Sequence, residues 1–294
     1  MHRHIGTAAL FGAALVSACT KETPKPDSTA VVQAGAPVVP KAGYDPATRT
    51  VTVIARDFAY EAPDSVPGGW TTIRMINEGP GIHHMQLVRI DSGKTMADVH
   101  AAMKNTKVPP PKWVVDVGGP NAPNPNAESN ATMNLTPGLY VMLCLVDVPD
   151  KVMHMTKGMF KPLVVTAATA PGAAPTADVE LSLTDYAFTT KSGALTSGKH
   201  TVHVVNDGPQ PHEVEIFKLL PGKTMKDFAA WGEKYDGPPP ASALGGIVVL
   251  LKGGDSYFTA DFTPGNYFMI CFVGDKKDDK PHFMHGMVKE FAVQ

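Results

Sequence analysis

Apolar and polar residues alternate with a period of two along much of this chain. Val51, Val53 and Ala55 sit two apart, as do Val179, Leu181 and Leu183. That spacing predicts strands with one buried face. Residues 73–76 and 202–205 are rich in Ile, Val and Met, and both runs stop at an Asn-acid-Gly-Pro turn. Apolar stretches from Val141 to Val146 and from Phe268 to Val273 follow Pro-Gly turns and contain one cysteine each. Helical periodicity is confined to Thr95–Lys104 and Thr224–Lys234, and the proline triplets 109–111 and 238–240 are expected to end both helices.

The pattern occurs twice. Asp57-Phe58-Ala59-Tyr60 returns as Asp185-Tyr186-Ala187-Phe188, Asn77-Glu78-Gly79-Pro80 as Asn206-Asp207-Gly208-Pro209, and Thr136-Pro137-Gly138 as Thr263-Pro264-Gly265. The offset stays between 127 and 129 residues. A period that long is a whole domain rather than a solenoid unit. The small, uncharged, Pro-punctuated stretch 167–177 reads as the linker between two domains, 44–166 and 178–294. Residues 20–43, rich in Pro, Ala, Lys, Thr and Val, read as a flexible tether.

The first residues change the expected location. Arg3 precedes an apolar run from Ile5 to Ala18, the length of a signal core and too short to span a bilayer. It ends in Leu15-Val16-Ser17-Ala18-Cys19, which resembles a bacterial lipobox. That resemblance implies a signal peptide over 1–19 and a lipidated Cys19; the alternative is an ordinary secretory signal cut after Ala18. Thr20, not Asp, follows the cysteine, which favours the outer membrane, with the protein facing the periplasm or the cell exterior. With 26 basic and 28 acidic residues the net charge is −2. That balance argues against a nucleic-acid partner.

One cysteine then remains per repeat, and each has company. The first set is His83, Cys144, His154 and Met159; the second is His212, Cys271, His282 and Met287. Two imidazoles, a thiolate and a thioether suit one copper ion that alternates between Cu(I) and Cu(II). A cysteine on an apolar strand is also a common buried side chain, but two repeats that each keep all four donor types favour copper. Zinc takes His and Cys, yet a thioether is a poor zinc ligand. A Cys144–Cys271 disulfide would require equivalent positions of two domains to meet.

These segments resemble the cupredoxins, or blue-copper proteins. Asn206 to His212 is similar to the segment with the first histidine ligand, Thr263 to Cys271 to the strand that delivers the cysteine, and His282 to Met287 to the closing pair. Asn77 to His83, Thr136 to Cys144, and His154 to Met159 supply the same pieces in the first repeat. The resemblance covers about 120 residues of each half. It implies an all-β chain of two tandem cupredoxin-like Greek-key β-sandwiches, each with one short inserted helix, and one copper per domain, up to two. Nine residues separate Cys144 from His154 and ten separate Cys271 from His282, longer loops than single-domain cupredoxins usually have.

Fused cupredoxins also include copper nitrite reductases and multicopper oxidases. Those enzymes carry a histidine directly before the copper cysteine, where this chain has Leu143 and Ile270. The expectation is therefore a protein that is not an enzyme: a membrane-tethered electron carrier with two type 1 copper sites. Its partner would be a redox protein such as a cytochrome or copper enzyme, with no small-molecule substrate. A copper-sequestering or copper-delivery lipoprotein and a metal-free binding module of an envelope complex remain as alternatives. His84, aligned with Glu213, is expected beside the site or exposed; His203 and His285 are expected to face solvent, and His100 to lie on the first helix. Met153, Met155, Phe283 and Met284 are expected in the loops, as packing or as an apolar docking surface.

Overall fold

The computed structural model describes residues 41–104 and 109–294. Cys19, the signal 1–19 and nearly all of the tether 20–43 lie outside the described residues. No helix among the described residues is long and apolar enough to cross a membrane. Residues 41–294 fall within one compact unit.

The described residues are all-β, with two nine-stranded sheets and two short helices. In the first sheet Thr50–Arg56 runs parallel to Gly69–Asn77, with Val51 opposite Ile73 and Val53 opposite Met75. The second half repeats this: Val179–Thr184 runs parallel to Gly198–Asn206, with Val179 opposite Val202 and Leu181 opposite Val204. All eight side chains are buried, so the period-two positions form the inner face. The second sheet contributes Leu87, Met142, Ile216 and Met269 to the same core, making a sandwich. The Thr-Pro-Gly turns are closed by a tyrosine, Tyr140 Oη donating to Thr136 O at 2.9 Å and Tyr267 Oη to Thr263 O at 2.7 Å.

Both sheets run continuously from one half into the other. In the first, Glu128–Leu135 meets Asp255–Phe262 at Thr132 and Tyr257. In the second, Val114–Gly118 meets Ala241–Leu250 at Val117 and Leu250. The joins use equivalent strands of the two halves, the pattern of an isologous contact. Side chains extend the sparse ladder: Asn130 Nδ2 donates to Thr259 O at 2.7 Å, and Thr259 N donates to Asn130 Oδ1 at 2.8 Å.

The helices are Met96–Met103 and Met225–Lys234. Thr95 and Thr224 are their N-caps, each in a capping box with Asp98 or Asp227. The second helix ends at Tyr235, in a left-handed conformation with φ 51°, before the proline triplet is reached. The cysteine strands are Gly138–Leu143 and Gly265–Ile270. They end one residue before the cysteine, where the chain turns into the ligand loop.

Candidate metal centres

Donors 59 to 71 residues apart along the chain meet in each half. His83 precedes the strand Gln86–Ile90, and His212 opens the strand His212–Leu219. Cys144 and Cys271 follow their strands directly. His154 and His282 each open a short 3-10 turn, ended by Gly158 at φ 109° and Gly286 at φ 99°. Met159 and Met287 come next, both fully buried and packed in the same core as the two cysteines.

Backbone hydrogen bonds hold the loop the same way twice. Cys144 N donates to Met159 O at 3.2 Å, His154 N to Val146 O at 2.8 Å and Met159 N to His154 O at 3.0 Å. The second-half bonds are Cys271 N to Met287 O at 3.3 Å, His282 N to Val273 O at 2.8 Å and Met287 N to His282 O at 3.0 Å. The extra residue of the second loop is absorbed between these anchors, where Gly274 and Pro281 form a bridge.

The donor atoms face one another. His83 Nδ1 lies 3.1 Å from His154 Nδ1, and Cys144 Sγ lies 3.5 Å from His154 Nδ1. In the second half His212 Nδ1 lies 3.1 Å from His282 Nδ1, and Cys271 Sγ 3.5 Å from His282 Nδ1. Two nitrogens about 2.0 Å and a sulfur about 2.3 Å from one tetrahedral ion would stand about 3.3 and 3.5 Å apart. All six donor side chains are buried.

Tautomers make the fit sharper. His83 Nε2 lies 2.9 Å from Asp57 Oδ1, so the carboxylate fixes the proton on Nε2. His154 Nε2 lies 3.3 Å from Val148 O, an acceptor only, which fixes its proton there too. Both Nδ1 atoms then carry lone pairs. Two lone pairs 3.1 Å apart in a dry pocket repel, and a cation between them removes the conflict. In the second half Asp185 Oδ1 holds His212 Nε2 at 2.9 Å. His282 Nε2 is buried without a hydrogen bond, 3.7 Å from Asp275 Oδ2. The two buried His-Cys-His groups are thus able to hold copper, one ion each.

Asp57 and Asp185 were not anticipated as site residues. Their signal was present in the repeated Asp-aromatic-Ala-aromatic motif, which served only to mark the repeat. Gly79 and Gly208 in the preceding turns are also part of the site: a Cβ there would stand 2.6 Å from His83 Nε2 and 2.7 Å from His212 Nε2. Only glycine lets the backbone approach the imidazole so closely.

Burial controls the protonation of the metal-free site. It pushes the Cys144 thiol up to about 11 and the Cys271 thiol higher still. It also lowers His83, His154, His212 and His282 below the ordinary histidine value, with the Asp57 and Asp185 carboxylates partly opposing this at His83 and His212. The histidines are therefore ready as neutral donors, while each thiol must shed a proton to a metal.

His84 and Glu213 are buried beside the centres. His84 Nε2 accepts from Leu145 N at 2.9 Å, and Glu213 Oε1 accepts from Phe272 N at 2.9 Å. Each thus holds the residue after the cysteine, although one is an imidazole and the other a carboxyl group. His203 pairs with Asp255 and stacks on Tyr257, and His285 pairs with Asp278. His100 on the first helix packs edge-on against Phe160. Met155 is buried in a small cluster, with Met153 packed against it. Met284 is 60% exposed, near the edge-packed pair Phe272 and Phe283. A third group, Asp275, Asp278 and His285, is also compact, but Asp275 already accepts from Tyr186 Oη at 2.5 Å and Gln210 Nε2 at 2.9 Å.

The described residues thus form an all-β two-sheet fold with one buried His-Cys-His group in each half. No protein-family model matches the chain, and no curated protein is significantly similar. Among solved structures it is similar to a dithionite-reduced auracyanin from Roseiflexus castenholzii, with 19% identity over 40% of this chain and 97% of that one, at a TM-score of 0.29. It is also similar to a multicopper oxidase, with 12% identity over 83% of this chain and 88% of that one (TM-score 0.25), and to a copper nitrite reductase from Nitrosomonas europaea, with 13% identity over 83% and 94% (TM-score 0.24). The expectation of a protein that is not an enzyme is corrected by these neighbours. The two are named as an oxidase and a reductase, both enzymes.

Proposed function

We propose that this chain is an extracytoplasmic, lipid-tethered electron-transfer protein with two type 1 copper sites. His83, Cys144 and His154 would hold one ion, with the buried Met159 as a further, weaker donor; His212, Cys271 and His282 would hold the other, with Met287 in that role. Bound copper would supply reversible one-electron chemistry. The chain's own residues do the rest. Asp57 and Asp185 orient the first histidine, the buried sandwich excludes water, and the paired loop anchors keep donor positions nearly fixed. The duplicated motifs and the repeated site geometry support an origin by duplication of one domain, with the boundaries at 44–166 and 178–294. The N-terminal motif supports the lipid anchor at Cys19 and, in the outer membrane, a periplasmic or outward-facing location.

The observation that carries this function is the pair of opposed Nδ1 lone pairs beside a buried thiol. Buried, preorganised donors favour an electron carrier over a copper-delivery protein, which needs ligands exposed for exchange. The exposed Met284 and Phe272 supply an apolar rim suited to brief contact with a redox protein such as a cytochrome or copper enzyme. The test is a redox cycle of the copper-loaded protein under dialysis. Retention of copper in both states, with an intense visible band that bleaches and returns, supports the carrier. Loss of copper in one state, or tight Cu(I) binding without that band, supports delivery or sequestration instead.

A further inference from the structure

The two centres differ at the outer nitrogen of the second histidine. In the first half His154 Nε2 lies 3.3 Å from the main-chain carbonyl oxygen of Val148. In the second half His282 Nε2 has no hydrogen bond, and the Asp275 carboxylate stands beside it with Oδ2 3.7 Å away. Val148 and Asp275 each come four residues after the cysteine. One loop position therefore supplies a neutral oxygen in one half and a charged one in the other. His282 and Asp275 are both buried.

Three donors keep Asp275 in its carboxylate form. Tyr186 Oη and Gln210 Nε2 donate to Oδ2 at 2.5 and 2.9 Å, and Lys277 N donates to Oδ1 at 2.8 Å. Hydrogen bonds to the charged form favour that form. Gln210 Nε2 also lies 3.2 Å from Asp185 Oδ2, which ties the carboxylate beside His282 to the one that holds His212. The first half has none of this: the repeat sets Phe58 against Tyr186, Gly81 against Gln210 and Val148 against Asp275. The side chains that build the buried charge are thus present together in one half and absent together from the other. An outer charge pair is common to both halves, Lys157 with Asp150 at 2.7 Å and His285 with Asp278 at 3.1 Å. Lys276, Lys277 and Lys280 are exposed, so solvent and salt screen them. Glu213, the other acid the second half adds, lies against Phe272 N rather than a ligand ring.

We propose that Asp275 is a positioning residue that makes the two centres unequal, giving the second the lower reduction potential. The inference rests on copper filling both sites, as proposed above. With His282 Nδ1 turned to the metal, the ring proton stays on Nε2, beside the buried negative charge. A carboxylate there raises the donor strength of the imidazole. In a dry site its charge also favours Cu(II) over Cu(I). Reduction of either centre takes one electron from an external reductant, with no bond made or broken. Once reduced, the second centre would be the stronger electron donor, and the oxidised first centre the stronger acceptor, so the chain would serve partners of two different potentials.

The test uses the full-length, copper-loaded chain as Cys144→Ser, which leaves the second centre, and as Cys271→Ser, which leaves the first. Each is titrated against the same iron-cyanide redox couple and followed by its visible band. The equilibrium constant for reduction should be at least tenfold smaller for the second centre, a gap of at least about 59 mV for one electron. Asp275→Asn, added to the Cys144→Ser chain, should raise that constant about tenfold while the copper band persists; added to the Cys271→Ser chain, it should change nothing. Should Asp275→Asn not fold, Asp275→Ser, equally uncharged, is read in the same way. Equal constants, the reverse order, or a gap that survives loss of the carboxylate would overturn the inference and leave the copper sites standing. Failure of either single-site chain to show a copper band would instead defeat the proposed function, and this inference with it.

Discussion

At the residue scale, each centre depends on a carboxylate that touches no metal. Asp185 fixes the His212 proton on Nε2 and so presents Nδ1 as a lone pair. Asp185→Asn keeps the shape but loses the charge, and its amide can present a donor where an acceptor is needed. Copper affinity at the second site should fall 10- to 100-fold, as measured by competition with a chelator in a Cys144→Ser background that silences the first site. An unchanged affinity would show that Asp185 does not set the tautomer. Glu213 carries a different cost. Burial pushes it from 4.5 up to about 7. In the unfolded chain it ionises near 4.5, so stability due to the protonated form is full below that pH and is lost as pH rises through about 7. Glu213→Gln in the metal-free protein should therefore gain up to about 3 kcal/mol more at pH 7.5 than at pH 4.5 relative to the parent. Denaturant unfolding at the two values checks this, and an equal effect at both would contradict it. The residues of the two His-Cys-His groups were legible from residue type and repetition alone. Asp57 and Asp185 were not, because their roles depend on distances that no local spacing encodes.

At the element scale, two features place the donors: the close turn before the first histidine and the anchored loop after the cysteine. The turn tolerates no side chain. Gly208→Ala would drive a methyl into the His212 ring, which must swing away from Asp185. Copper binding at the second site should weaken at least tenfold, with the first site as an internal reference; retention of both bands at equal copper affinity would refute this. The strands were readable because each buries one face. Their ends were less so. The cysteine strands were expected to continue to Val146 and Val273, yet they end at Leu143 and Ile270, where the backbone turns to pair with the methionine. The helix after Thr224 stops at Tyr235 by adopting a left-handed conformation, a choice no proline signals. Loop lengths of nine and ten residues looked like departures from a minimal site. They converge on one geometry because the hydrogen bonds at Val146 and Met159, and at Val273 and Met287, fix both ends.

At the scale of the whole molecule, two repeats read as separate beads prove continuous through both sheets. Edge strands with too little ladder of their own are joined by side chains, and a sequence pattern does not show which edge meets which. Asn130 supplies both a donor and an acceptor to Thr259. Asn130→Leu leaves both of those part-buried backbone groups without their partner, which costs at most about 1–3 kcal/mol. The midpoint of denaturant unfolding should drop in one transition common to circular dichroism and tryptophan fluorescence. Two separated transitions in the parent protein would show that the halves unfold independently.

The most direct test is a copper titration of the metal-free protein alongside Cys144→Ser, Cys271→Ser and the double variant, followed by visible absorption and spin resonance. Two intense thiolate-to-copper bands should saturate at two ions per chain in the parent, one ion in either single variant, and none in the double variant. Copper bound without a charge-transfer band, or a full band after both cysteines are replaced, would contradict the convergence of His83, Cys144 and His154, and of His212, Cys271 and His282, on a metal ion.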